Sequence, residues 1–229
     1  MPGHASHGVV TPDNPERALA LSYAGEGRGA LAALLALDDS LATLLRTTRE
    51  PALGQMRLAW WREGLERLDT APPPAEPVLQ AIAADVMPRG VSGASLVPIV
   101  HGWEVLIEEE HLGADALRRF GEGRGALFVV AARAMAATAA DPVAAAGQGW
   151  ALADLARNLG ADAEADEARR QATPLLEAAA AARWSRQGRA LGALAHLARM
   201  DMAVPHGSPP ETGSPRRVGR LLWHRLTGR

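Results

Sequence analysis

Residues 29–47 read GALAALLALDDSLATLLRT. Leu31, Leu34, Leu35, Leu41, Leu44 and Leu45 recur at the three- and four-residue steps of one helical face. The same grammar runs outward in both directions. Ala, Leu, Arg and Glu, all strong helix formers, dominate the chain, and no segment sustains the period of two expected of strands. The fold class that follows is all-α. Upstream, Asn14 and Pro15 supply an N-cap and a first-turn proline for a helix over 15–22. Downstream, the spacing predicts helices over 53–68, 77–86, 94–110, 115–120, 125–140, 143–162, 165–182 and 191–202. The glycines around 121–125 are read as a break between two of them. Residues 1–203 form a single helical domain in this reading. Residues 204–229 form a Pro/Gly/Ser-rich linker followed by a basic amphipathic tail.

Composition narrows the functions. The chain has 229 residues, 48% of them hydrophobic, enough for one substantial core. It contains no Cys, which removes thiolate catalysis, disulfides and Cys-based zinc sites. Its formal net charge of −2 gives no reason to expect a nucleic-acid partner. The first fourteen residues carry no apolar stretch of the secretory kind, and no run of about 18 apolar residues suggests a membrane span. A cytoplasmic location follows from this reading.

Two acidic stretches are the candidates for chemistry. Asp38 and Asp39 sit mid-helix between leucines. Either they form a solvated stripe, or, with a carboxylate one turn on, they hold Mg²⁺ against a substrate diphosphate. Position 42, where that third ligand would stand, is Ala. The second stretch places Asp154, Asn158 and Asp162 at i, i+4 and i+8, with Arg157 beside them. It reads either as a polar face or as a second metal-ligand set.

The order of these features resembles the squalene/phytoene synthase family. That family has an early Asp-rich helix, a Gly-containing helix start and a late Asp-rich helix. Here the corresponding stretches are Asp38-Asp39-Ser40-Leu41-Ala42, then Phe120-Gly121-Glu122-Gly123-Arg124-Gly125, then Asp154 to Asp162. Residues 50–65, EPALGQMRLAWWREGL, are the most distinctive match. They look like a block of the proteobacterial members and are similar to the mitochondrial complex I assembly factor of the family. The resemblance spans roughly residues 15–182. It implies an isoprenoid-synthase-like helical bundle around a central cavity. It also implies Mg²⁺ held by Asp38, Asp39, Asp154, Asn158 and Asp162, with diphosphate contacts from Arg28 and Arg157. The departures are specific: Ala42 and Asn158 replace carboxylates, and Leu35 stands where the family has an Arg. The resemblance therefore implies a non-catalytic or weakly active protein that binds an isoprenoid diphosphate or another lipid-like ligand, or serves an assembly role with a protein partner near the inner membrane. An active Mg²⁺-dependent prenyl transferase and a purely structural helical module are the alternatives.

Three smaller patterns remain. His101, Glu104, Glu108 and His111 share a helical face, but a di-iron site needs a second Glu-x-x-His and the chain has none. Trp60 and Trp61 cannot both face one way, so at least one packs inward. In the tail, Arg216, Arg217, Arg220, Arg225 and Arg229 alternate with Val218, Leu221, Leu222, Trp223 and Leu226. This is either a docked basic helix or an interfacial helix giving peripheral contact with anionic lipid.

Overall fold

The computed structural model describes residues 14–205 and 208–229. The reading of residues 1–13 as lacking a secretory signal lies outside the described residues. All regular structure within them is helical. The α-helices are α1 (Pro15–Leu21), α2 (Arg28–Thr47), α3 (Pro51–Arg67), α4 (Pro77–Ala81), α5 (Val97–Glu108), α6 (Ala114–Ala134), α7 (Val143–Asn158), α8 (Asp162–Ala181), α9 (Arg189–Met202) and α10 (Pro215–Thr227). Asn14 caps α1 as its sequence suggests, its Oδ1 accepting from the amides of Glu16 and Arg17 at 3.1 Å. No single helix among the described residues is long and apolar enough to cross a membrane.

The expected break at 121–125 does not exist. One continuous helix, α6, runs from Ala114 to Ala134 straight through the glycines. Their purpose is close approach, not turning. A Cβ on Gly123 would lie 2.6 Å from Gly102 Cα of α5, and one on Gly125 would lie 2.5 Å from Gln148 N of α7. Helices α5, α6 and α7 therefore meet backbone to backbone, and the three form the centre of the bundle. Around them the leucine face of α2 supplies Leu31, Leu34, Leu37 and Leu41, all fully buried.

The helix expected over 143–162 is two helices. The chain turns at Leu159, which is extended (φ −76°, ψ 135°), and α8 begins at Asp162.

The C-terminal segment docks on the domain. Leu221, His224 and Arg217 of α10 face inward. The Arg217 guanidinium forms a two-pronged pair with Glu16 of α1 at 2.7 Å and reaches Asp201 of α9 at 2.6 Å. Burial works against the Glu16 carboxylate, yet Arg217 and the Gly213 amide hold its pKa below the usual value.

Two buried histidines, His196 and His224, meet edge to face at 4.7 Å between α9 and α10. Burial, together with Arg220, pushes their pKa values down, to about 3 and about 4. Arg199 and Arg189 add to the repulsion, and Trp184 packs edge-on against His224. Both rings are thus neutral in the folded state at pH values where an unfolded chain, with histidine near 6.5, takes up protons. Stability is therefore full above about pH 6.5 and falls as pH drops towards the folded values, by up to about 2 kcal/mol per histidine at pH 5. Urea midpoints measured at pH 7.5 and 5 check this. The drop should shrink by about half in His224→Gln, which keeps a donor for the Arg189 carbonyl; an unchanged drop would show that other groups control it.

Candidate functional site

Asp38 and Asp39 are neighbours in sequence but stand about 100° apart around α2. That rotation sends them to different places. Asp38 is buried and points into the bundle centre. Its Oδ1 accepts from Trp103 Nε1 at 3.1 Å and from Arg124 Nε at 2.8 Å, and its Oδ2 accepts from Arg124 Nη2 at 2.7 Å. The remaining arm of the same guanidinium, Nη1, donates to Asp154 Oδ2 of α7 at 2.6 Å. Arg124 is only 4% exposed. Its guanidinium carbon lies 4.5 Å from the ring centre of Trp103 on one helix and 4.5 Å from that of Trp150 on another. Phe120 closes the stack at 5.8 Å.

The electrostatics follow from this geometry. Burial alone would lower the pKa of Arg124, but the two carboxylates outweigh it and raise the pKa above the ordinary arginine value. The two indole faces add cation–π attraction where little water competes. One permanent cation thus bridges two carboxylates, Asp38 buried on α2 and Asp154 about half exposed on α7.

The structure brings together two of the five residues expected to hold metal, Asp38 and Asp154, and joins them through Arg124. The others lie elsewhere. Asp39 pairs with Arg17 of α1, at 2.9 and 2.7 Å. Asn158 Nδ2 donates to the Asp154 carbonyl at 2.8 Å and so closes the last turn of α7. Asp162 is exposed at the start of α8, because the turn at Leu159 breaks the i, i+4, i+8 face. Among the described residues no three His, Asp or Glu side chains converge as a metal site. The donors do not fit Mg²⁺: an ion between Asp38 and Asp154 would stand against the Arg124 guanidinium, which already occupies the space between the acidic helices. Of the two expected diphosphate ligands, Arg28 is exposed at the first residue of α2. Arg157 donates to the carbonyls of Asp201 and Ser208 at 3.2 and 2.7 Å, tying α7 to the segment after α9. The His101/Glu104/Glu108/His111 face is cut short as well, since α5 ends at Glu108.

Room for a ligand lies on the other side of α2. A groove of about 1290 Å³ runs between α1, α2, α3 and α4. Its walls include Leu21, Leu35, Val78, Trp60 and Trp61, with Arg17, Arg46, Arg57 and Asp39 among them. Trp61 is buried and Trp60 half-exposed, and the rings meet edge to face at 5.3 Å. Leu53 and Met56, also exposed, extend the apolar surface of α3 beside Trp60. Leu35, the position where the resembled family has an arginine, is a greasy part of this wall.

Comparison with family models, with curated proteins and with solved structures finds no match.

The sequence reading passed over the residues at the bundle centre. Arg124 was there to be found: with Leu117, Phe120, Leu127, Phe128 and Ala131 it falls on the apolar face of one uninterrupted helix. Treating the glycines as a break hid that spacing. Trp103 and Trp150 carry no motif of their own; only the packing of α5 and α7 on α6 makes them a sandwich.

Proposed function

We propose that this chain is a squalene/phytoene synthase-like protein that binds an apolar, lipid-like molecule in the α1–α4 groove and performs no metal-dependent diphosphate chemistry. The carrying observation is the three-way pairing of Asp38, Arg124 and Asp154. It ties one carboxylate from each of the two acidic stretches, on α2 and α7, to a single internal cation. A site that ionises a diphosphate must concentrate positive charge opposite the phosphates and leave its carboxylates free for Mg²⁺. Here neither condition is supported. The groove is larger than the ~300–1,000 Å³ usual for small-molecule sites. Its apolar walls suit a prenyl or acyl chain, and Arg46 and Arg57 in its lining suit a polar or anionic head. The role is that of a binding or assembly-type factor, in which the loaded ligand or the α3 surface meets a protein partner.

Quenching of tryptophan fluorescence tests this, because Trp60 and Trp61 line the groove. Farnesol and farnesyl diphosphate should each quench saturably, with affinities unchanged by Mg²⁺. Trp60→Ala should weaken binding about tenfold, the loss of roughly one aromatic contact. Release of pyrophosphate from farnesyl diphosphate with Mg²⁺ at ordinary enzyme rates would instead establish a transferase. Absence of quenching by either compound would leave only a helical interaction module.

A further inference from the structure

Helix α10 has two faces, and only one is used by the domain. Leu221, His224 and Arg217 pack inward, while Leu222, Trp223 and Leu226 are 44%, 57% and 76% exposed. At helical spacing these three fall on one outward strip together with Gly219. Arg216 and Arg225 stand on the two sides of the strip, and Arg229 lies at its end, all exposed. The fold adds more cations beside it. The Trp184 amide donates to the Gly228 carbonyl at 2.7 Å, and Arg189 donates to the Arg225 carbonyl. The turn before α9, with exposed Arg183 and Arg186, is thereby fastened to the end of α10.

Charge is divided along the chain to match. Residues 183–229 contain nine arginines and two carboxylates, Asp201 and Glu211. One of these, Asp201, is occupied by Arg217. Residues 1–182 contain fifteen arginines and 24 carboxylates.

We propose that the outward face of α10, with the adjoining arginine turn, is a docking surface for an anionic lipid bilayer. The groups are those the headgroup boundary selects. Leucines and an indole insert to the acyl boundary, and guanidinium groups on both flanks reach lipid phosphates. Nucleic acid would be served by the arginines but would leave the Leu222–Trp223–Leu226 strip wet. A second copy of the chain could cover the strip, but it would bring two arginine rims against each other. A bilayer satisfies both halves of the surface. The inference is independent of the groove, on which these residues have no bearing.

Co-sedimentation of the full chain with vesicles tests it. Binding is expected to vesicles of mixed phosphatidylcholine and phosphatidylglycerol and not to phosphatidylcholine alone. It should weaken steeply as salt rises above roughly 0.1 M, where the screening length is about 10 Å. A blue shift of emission on binding should disappear in Trp223→Phe. Substituting Leu222, Trp223 and Leu226 together by Ser should cut binding at least tenfold with little change in the thermal melt, since these side chains lie outside the hydrophobic core. Replacing Arg216, Arg225 and Arg229 by Gln should cost about fivefold for each residue. Equal binding to both kinds of vesicle, no binding to either, tighter binding to duplex DNA, or a concentration-dependent dimer abolished by the triple Ser variant would each overturn the proposal.

Discussion

Arg124→Met is expected to lower the stability of this protein by about 3–5 kcal/mol, the usual cost of removing one partner from a buried charge cluster. The cause is what remains behind. Asp38 would keep a single donor, Trp103 Nε1, for a carboxylate that now accepts three hydrogen bonds in the bundle interior. The indole faces of Trp103 and Trp150 would lose the cation held between them. Arg124→Lys should recover only part of the loss, because an ammonium cannot serve Asp38 with two parallel bonds and Asp154 with a third. Pairing Arg124→Met with Asp38→Leu should restore part of it, since no buried charge is then orphaned: Asp154, the carboxylate left without its cation, is about half exposed, and the remaining cost is the Trp103 Nε1–H without its acceptor. Urea unfolding of the single and double variants decides the matter. A loss below about 1 kcal/mol for Arg124→Met would mean that water reaches the cluster freely.

The second large effect concerns glycine, and its sign depends on position. Gly125→Ala should destabilise by about 2 kcal/mol or more, whereas Gly219→Ala should stabilise by about 0.5–1 kcal/mol. Both lie within helices, so both gain the same intrinsic preference for Ala. At Gly125 the new methyl would lie 2.5 Å from Gln148 N and 2.7 Å from Gly147 C, backbone atoms with no rotamer to retreat into. Helices α6 and α7 would have to part, loosening contacts along their whole length. At Gly219, nothing lies within 4 Å. Thermal melts of the two variants provide the comparison, and a shift of the same sign in both would refute the backbone-contact account.

Much of the fold is legible in the residues. The leucine spacing of α2 marks its buried face, and Asn14-Pro15 marks the start of α1. Of the adjacent tryptophans, Trp61 is buried and Trp60 half-exposed, as a 100° step requires. What misleads is the double meaning of glycine. Local rules treat 121–125 as a stop, but tertiary contact with Gly102 and Gly147 makes the same residues a helix interior. The turn after Asn158 misleads in the opposite way. No Pro interrupts residues 143–162, so the helical pattern appears continuous, yet Leu159 turns the chain and strands Asp162 on another helix. The candidate site suffered from both errors. Asp38 and Asp154 are visible as unusual carboxylates, but their partner is hidden in the supposed break. Which of two adjacent aspartates turns inward is set by the phase of α2 against α6, and composition cannot supply that phase.

The separation of arginines from carboxylates along the chain has an effect that net charge conceals. At −2 overall, the molecule as a monopole is weakly repelled by a negative surface. Its electric moment is another matter, with the positive pole at α10 and the surplus of negative charge in the first 182 residues. Near a charged plane such a body feels a torque before it feels a pull, and within a screening length of about 8 Å it turns its arginine pole to the front. Arrival is thus orientation-selective. Redistributing the same arginines evenly would leave the isoelectric point untouched and remove the steering.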